Sequence, residues 1–339
     1  MRAVVYSAPR QFTVRDVPDP APDPGEVLIR PTLAGVCGTD LHIHSGGFFA
    51  KFPLTPGHEI VGEVLSWGED VAGFREGQKV VVDNASACGH CPECGRGSPL
   101  YCQKFRSLGV NAPGGFAERV VSRADKVFPA DDLLDELAVL AEPLACAMHG
   151  MDVLNLTPGA DVVMIGSGTT GLLLAQLLIH GGAGRLTVAG PTEFKLDLAR
   201  KFGVDRVVQV SRVDAQGTAA TLRSMAPTGY DVAVDATGSA EVVRVLPQLV
   251  RENGTILVYG MCDADDQVNW SPYDIFRRQL TIKGSFAQVN CFGRSLAMLR
   301  SGRIRGDGLV THRFPLIEYG NALEAVRSDP TCLKAVVLA

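Results

Sequence analysis

The sequence predicts an α/β protein in two parts, an all-β unit followed by a doubly wound parallel sheet. Three observations carry that prediction. Residues 1 to about 150 hold short β-like runs such as "AVVYS", "EVLIR", "IVGEVLSW" and "QKVVV", broken by Gly and Pro in "PDPAPDPGE" and "LTPGHE". From about residue 161 apolar runs alternate with helix-length amphipathic segments. At the head of that alternation stands "VVMIGSGTTGLL", a glycine-rich turn between a strand and a helix. A chain of 339 residues suits two domains of ordinary size. The expected divisions are 1–150, 151–288 and a tail, 289–339, whose strand-like "KAVVLA" returns to the first unit.

In the second unit the expected strands are "VVMI", "RLTVA", "RVVQV", "DVAVD", "TILVYG" and "LTIKGSF". Helices such as "TEFKLDLARKF" and "SAEVVRVLPQLV" lie between them, which makes a Rossmann-type sheet. Gly166 allows the tight turn, Gly168 lets the backbone approach a pyrophosphate, and Gly171 lets helix and strand pack closely. Thr170 lies within the same turn and joins them as a cofactor contact. The helix N-terminus offers unpaired N–H groups to the phosphates. The second strand of such a sheet ordinarily ends in Asp or Glu, which binds the ribose 2′-hydroxyl and repels a 2′-phosphate. Here it ends "LTVAGPTEFK", with Gly190 at the acidic position and Thr192 and Lys195 following. The expectation is NADP, with NAD as the alternative. Lys195 as an ordinary solvated helix residue is an equal reading of the spacing alone.

The first unit contains "CGHCPECGRGSPLYC", with Cys88, Cys91, Cys94 and Cys102 in fifteen residues. Two-residue gaps let a turn aim two sulfurs at one ion, and four thiolates close a tetrahedral zinc site with no position left for substrate. An iron–sulfur cluster is the rival, but the gap of seven and Gln103 after the last cysteine depart from the bacterial ferredoxin run. The lobe 86–104 is therefore expected to hold zinc for structure.

A catalytic zinc needs three protein ligands and an open position. The dispersed candidates are Cys37, Asp40, His42 and His44 in "GVCGTDLHIH", His58 and Glu59 in "PGHEIVGE", and Glu142, Cys146 and His149 in "LAEPLACAMHG". Cys37 and His58 with a carboxylate, Glu59 or Glu142, make one workable set, although a lone His or Cys is more often packed than ligating.

Composition limits the rest. The chain is 46% hydrophobic and 20% charged with net charge −5, so no basic face points to nucleic acid or an anionic membrane. "GLLLAQLLI" is too short to span a bilayer, and "MRAVVYSAPRQF" lacks an apolar run of signal-peptide length. A cytoplasmic location is the expectation, where clustered thiols read as metal ligands before disulfides.

"GVCGTDLHIH…PGHEIVGEV", the cysteine lobe, "EPLACAMHG", "GSGTTGLLLAQ", "DVAVDATGS" and "LTIKGSF" occur in one order. Together they resemble the zinc-dependent medium-chain alcohol dehydrogenases over essentially the whole chain, on the branch of the polyol and threonine dehydrogenases. "TVAGPTEFKLDLARKFG" is similar to the D-arabinitol dehydrogenase group. The resemblance implies a chaperonin-like barrel as the catalytic domain, completed by the tail, with the active site in the cleft beside the Rossmann domain. It implies that Cys37 and His58 bind the catalytic zinc, with Glu59 binding in some members and Glu142 standing where polyol enzymes carry Glu. It implies that Asp40 orients the zinc-bound imidazole, Thr39 bonds the substrate hydroxyl and His42 ends a proton relay. His44 and His149 are expected to be surface or packed histidines, and Cys146, Cys262, Cys291 and Cys332 ordinary buried thiols. The implied activity is reversible oxidation of a secondary alcohol of a polyol to a ketone, with hydride passing to NAD or NADP, in a homodimer or homotetramer. Threonine or 2,3-butanediol is the alternative substrate. A zinc-free quinone or enone reductase and a non-catalytic NADP-binding redox sensor are the rivals.

Overall fold

The computed structural model describes residues 1–339 and divides them into two compact units. Met1–Pro143 and Phe292–Ala339 form the first, Leu144–Cys291 the second.

The first unit is built on a seven-stranded mixed sheet. Its order is Val310–Pro315, Lys334–Leu338, Glu26–Val36, Glu59–Trp67, Lys79–Val82 and Val127–Pro129, with Val120–Arg123 also paired to Glu26–Val36. The C-terminal strand thus lies antiparallel to Glu26–Val36, with Ala335 opposite Val36 and Val337 opposite Ala34. A separate hairpin pairs Arg2–Ala8 with Gln11–Asp16 and bridges to Ala117 and Leu54 through Ala3 and Tyr6. Val27, Ile29, Ile60, Val64, Val80 and Val82 alternate inward to form one core cluster. Tyr6, Phe116 and Tyr319 anchor another, under the helix Tyr319–Ser328.

The unit is not wholly β. Gly38–Ser45 is a helix, and Ala141–Leu154 is a fourteen-residue helix that runs on into the second unit. "AEPLACAMHGMDVL" is rich in Ala, Leu and Met, good helix formers whose signal is masked by the Pro and Gly within it. Pro143 is tolerated because it falls in the first turn, where its missing N–H has no helical partner to lose. The stretch 135–154 is long and apolar enough to cross a membrane by composition, and two thirds of it is buried in the protein, as in a core helix.

The second unit is a six-stranded parallel sheet ordered Arg206–Gln209, Arg185–Gly190, Asp161–Ile165, Tyr230–Asp235, Val250–Val258 and Thr281–Gly284. Numbered along the chain, the order is 3-2-1-4-5-6, the doubly wound arrangement, with its reversal beside the first strand. The central strands read as continuous apolar runs because both faces are covered: Val162, Val163, Met164, Ala233 and Val234 are fully buried. The helix Thr169–His180 is apolar on most of its surface for the same reason.

Candidate metal centres and nucleotide site

Sheet register assembles the buried centre of the first unit. Cys37 follows directly on Glu26–Val36, Glu59 opens Glu59–Trp67 opposite Gly35, and Lys334 opens the C-terminal strand. The ends of three adjacent strands therefore converge. A Cβ on Gly35 would lie 1.8 Å from Glu59 Oε2, so glycine there makes the room that the carboxylate occupies.

Cys37 is the N-cap of Gly38–Ser45. Its N–H donates to Asp40 Oδ2 at 2.9 Å, and the Asp40 N–H donates to the Cys37 carbonyl at 3.0 Å. That reciprocal lock fixes the thiol at the helix start. The Cys37 thiol lies 3.8 Å from Thr39 Oγ1. Ligand atoms of Cys37, His58 and Glu59 all lie within 4.8 Å of one another. Glu142, also in this unit, is buried and close enough for its charge to act on His58 and Lys334, but it is not in that tight group. Both Glu59 oxygens accept hydrogen bonds from the buried Lys334 ammonium.

His58 Nδ1 is 3.9 Å from Asp40 Oδ1, and neither atom has a hydrogen-bond partner although both are buried. Burial alone would lower the His58 pKa, but the Asp40 charge, the hydrogen bond and charge of Cys37, and Glu142 outweigh it, so the pKa stands well above 6.5. Burial raises that of Asp40. A half-buried thiol, a buried imidazole and buried carboxylates with orphaned polar atoms offer a cation its ligands, and the S, N, O donor set suits zinc. Thr39 and His42 are half-buried on the same helix. His44 is neither free nor catalytic in placement: its Nδ1 pairs with the Tyr6 hydroxyl at 2.8 Å, and Tyr6 lies 3.3 Å from the Tyr319 hydroxyl.

In the cysteine lobe all four sulfurs lie within 4.8 Å of one another. Cys91 Sγ is 3.5 Å from Cys94 Sγ and 3.9 Å from Cys102 Sγ, too far for disulfides and close to tetrahedral edge lengths. Gly89 and Gly97 take positive φ of 79° and 80° in the turns that aim them. Backbone N–H groups of Cys88 and Lys104 both donate to Cys102 Sγ at 3.3 Å. Donors from Cys94 and Gln103 draw the Cys91 thiol down to about 6, whereas burial first, then its sulfur neighbours, push Cys94 up to about 12. Four sulfurs this close cannot all ionise without a cation among them, so the donors fit a Cys₄ zinc.

The nucleotide-binding features belong to the second unit. Gly166, after Asp161–Ile165, has φ +124°, and a Cβ there would lie 2.4 Å from the Ala236 carbonyl. A Cβ on Gly171 would meet the Gly166 carbonyl at 2.7 Å. Gly168, the N-cap of Thr169–His180, faces open space, which leaves the backbone approachable by a phosphate. The hydroxyl of Thr169 is buried at that N-terminus without a partner, and Thr170 beside it is half-exposed. This cradle fits a dinucleotide pyrophosphate.

Gly190 ends the second strand, and a Cβ there would lie 2.2 Å from Ser167 Oγ. Ser167, from the first turn, thus fills the space that the first carbon of a side chain at 190 would need. Thr192 is the N-cap of Glu193–Lys201 with no side-chain cap bond, and the Lys195 ammonium lies 5.7 Å from the Phe194 ring centre. Three structural residues escaped the sequence reading. Ser167 and Lys334 act through tertiary register and carry no local signal. Asp235 is buried and takes hydrogen bonds from Thr237 and Gly238, which shapes the turn that carries the Ala236 carbonyl under Gly166; "VDATGS" was the available hint.

A doubly wound nucleotide unit joined to a mixed-sheet unit with two cysteine-containing clusters suited to zinc points to the class of zinc- and nicotinamide-dependent dehydrogenases. Residues 23–132 match the alcohol dehydrogenase GroES-like domain and residues 169–301 the zinc-binding dehydrogenase family. The chain belongs to the zinc-dependent medium-chain alcohol dehydrogenase family, in its polyol branch. It is 45% identical to D-arabinitol dehydrogenase 1 of Uromyces fabae, over 99% of this chain and 97% of that one. It is 34% identical to D-altritol 5-dehydrogenase of Agrobacterium fabrum (strain C58), over 98% of each. Among solved structures, a zinc-binding dehydrogenase from Sinorhizobium meliloti 1021 bound to NADP superposes with a TM-score of 0.92 at 29% identity, covering 100% of this chain and 99% of that one.

Proposed function

We propose that the protein oxidises a secondary hydroxyl of a sugar alcohol of the D-arabinitol type to a ketone, reversibly, with NADP preferred over NAD. The cluster of half-buried Cys37 with buried His58 and Glu59 is the observation that carries the reading, because it offers one thiolate, one imidazole and one carboxylate to a single ion. The polyol half of the proposal rests on the likeness to D-arabinitol and D-altritol dehydrogenases.

Cys37 and His58 would hold zinc with a carboxylate from Glu59 or Glu142. Bound zinc supplies a Lewis acid that lowers the pKa of a substrate hydroxyl. A bound nicotinamide would supply the hydride acceptor. Asp40 holds the His58 ring in one orientation through its charge, so that the other ring nitrogen is the metal donor. Thr39, beside the Cys37 thiol, accepts the hydroxyl proton and hands its own on, with His42 one turn further along the helix as the exit towards solvent. Thr39 would thus carry away the proton that the alcohol gives up. Gly168, Thr169, Thr170 and the start of the helix hold the pyrophosphate. Gly190 leaves no carboxylate to repel a 2′-phosphate, with Thr192 and Lys195 nearby in sequence to contact it. The four cysteines hold a second zinc that shapes the lobe. Nine cysteines without a disulfide suit a reducing cytoplasm, and the family suggests a homodimer or homotetramer.

The test is the initial rate of nicotinamide reduction over pentitols, hexitols, 2,3-butanediol and threonine, with NADP and NAD in parallel. Preference for a pentitol or hexitol with NADP supports the proposal. Turnover of threonine or butanediol alone rejects the substrate class and keeps the zinc chemistry.

A further inference from the structure

His149, Asp152 and Cys291 bring three ligand atoms within 4.8 Å of one another, inside the second unit and apart from both thiolate centres of the first. His149 and Asp152 stand three residues apart on Ala141–Leu154, and so on one face of the helix. Cys291 arrives from 139 residues away, after the last strand of the sheet.

The geometry points to a third transition-metal site, of zinc type, formed by the His149 imidazole, the Asp152 carboxylate and the Cys291 thiolate. Zinc sits about 2.3 Å from sulfur and about 2.1 Å from carboxylate oxygen, so a tetrahedral angle separates those two ligands by about 3.6 Å. Cys291 Sγ and Asp152 Oδ2 are 3.6 Å apart. The donor set is one N, one O and one S, which leaves the fourth position to water. Access is from solvent, since Asp152 is exposed and His149 half-exposed, while Cys291 forms the buried floor.

The thiol is held in place before any ion arrives. The Cys291 N–H donates to the Oε1 of the buried Gln288 at 3.2 Å, and its sulfur lies 3.1 Å from the Val289 carbonyl. Asn290, immediately before it, takes the left-handed conformation at φ 53°, and Ala287 does so at φ 49°. Such conformations persist in non-glycine residues only when the surroundings impose them. On binding, the Cys291 thiol gives its proton to solvent and the metal–sulfur bond replaces the thiol's hydrogen bond to the carboxylate. The ion then ties the helix that opens the nucleotide unit to the residue that ends it.

The test uses the whole protein carrying two zinc ions per chain, enough for the two cysteine-containing clusters of the first unit and no more. Cobalt(II) is added, and the sulfur-to-cobalt charge-transfer band and the tetrahedral d–d bands are recorded. The expected result is a thiolate band saturating at one cobalt per chain, with zinc retained and one proton released. It is absent in Cys291→Ala. If Cys291→Ala does not fold, the double variant His149→Gln/Asp152→Asn, altered on the solvent side, loses the band instead. A protein that develops no band overturns the proposal. So does a band that survives these variants, or one that appears with release of zinc and vanishes in Cys37→Ser, since cobalt has then replaced zinc in the first unit.

Discussion

The Lys334 ammonium donates to both oxygens of Glu59, at 2.6 and 2.8 Å, from 275 residues away along the chain. Lys334 is 3% exposed and Glu59 is 0% exposed. Burial works against the Lys334 charge, but Glu59 first, then Cys37 and Glu142, keep it protonated. Lys334 therefore supplies positive charge to a centre that otherwise holds carboxylates, a thiol and the His58 imidazole. Both Glu59 oxygens are engaged by Lys334, so under the proposed function a metal would have to take the carboxylate from that ammonium.

Lys334→Met keeps the length of the side chain and removes its charge. It strands a buried carboxylate, which ordinarily costs about 3–5 kcal/mol. We expect a loss of that size in urea unfolding of chelator-treated protein, a smaller loss with zinc present, and recovery in Lys334→Met/Glu59→Gln. Equal stability of Lys334→Met and parent after chelation would mean that the pair does not balance the centre.

The contrast between what was legible in the sequence and what was not follows from distance along the chain. The four cysteines were legible because they fall within fifteen residues and local turns alone decide where the sulfurs point. The glycines at 166, 168 and 171 were legible because strand, turn and helix are consecutive. Lys334 was not, since only the pairing of Ala335 with Val36 brings it to Glu59. Ser167 was not, because its contact with Gly190 depends on how two neighbouring parallel strands align. The helix at 141–154 was hidden by its own Pro and Gly within a stretch read as β.

Cys91→Ser removes the sulfur that lies within 4 Å of both Cys94 and Cys102. The lobe then loses one ligand of its closed site, and structural zinc ordinarily contributes folding energy outright. Zinc content should fall by about one ion per chain by this stoichiometry, with a lower melting temperature and a proteolytic cut near 86–104. A variant that loses the ion but melts with the parent would remove the structural role.

Asp231 links two central strands of the second unit. Its Oδ2 accepts the Asp161 N–H at 2.6 Å and its Oδ1 accepts from Arg251 Nε at 2.5 Å. Burial raises its pKa, but these donors outweigh it and the folded value lies below the ordinary 3.8. A carboxylate whose pKa is depressed by folding contributes stability above the unfolded value and loses it as pH falls through the folded one. Asp231→Asn should therefore cost about 1 kcal/mol near neutral pH, and the gap should close as the pH drops below the ordinary carboxylate range. A gap that is constant from neutral to acid pH would assign the loss to packing.

Gly190 and Ser167 compete for one space, and that competition carries the cofactor prediction. Gly190→Asp alone drives its Cβ against Ser167 Oγ, 2.2 Å away, so the strand end or the Ser167 side chain must move. Loss of affinity for both cofactors is the expected outcome of that single change. Ser167→Gly alone opens the space without adding charge, and should leave the NADP preference standing. Combined, Gly190→Asp/Ser167→Gly places a carboxylate where it can bond the ribose 2′-hydroxyl and repel a 2′-phosphate. The ratio of kcat/KM for NADP to that for NAD should then fall by about 100-fold, equivalent to roughly 2.7 kcal/mol of discrimination. If the ratio is unchanged in a double variant that binds NAD normally, the phosphate is read elsewhere. Lys195→Ala then separates the remaining contributions: a rise in the KM for NADP but not for NAD assigns the contact to the lysine.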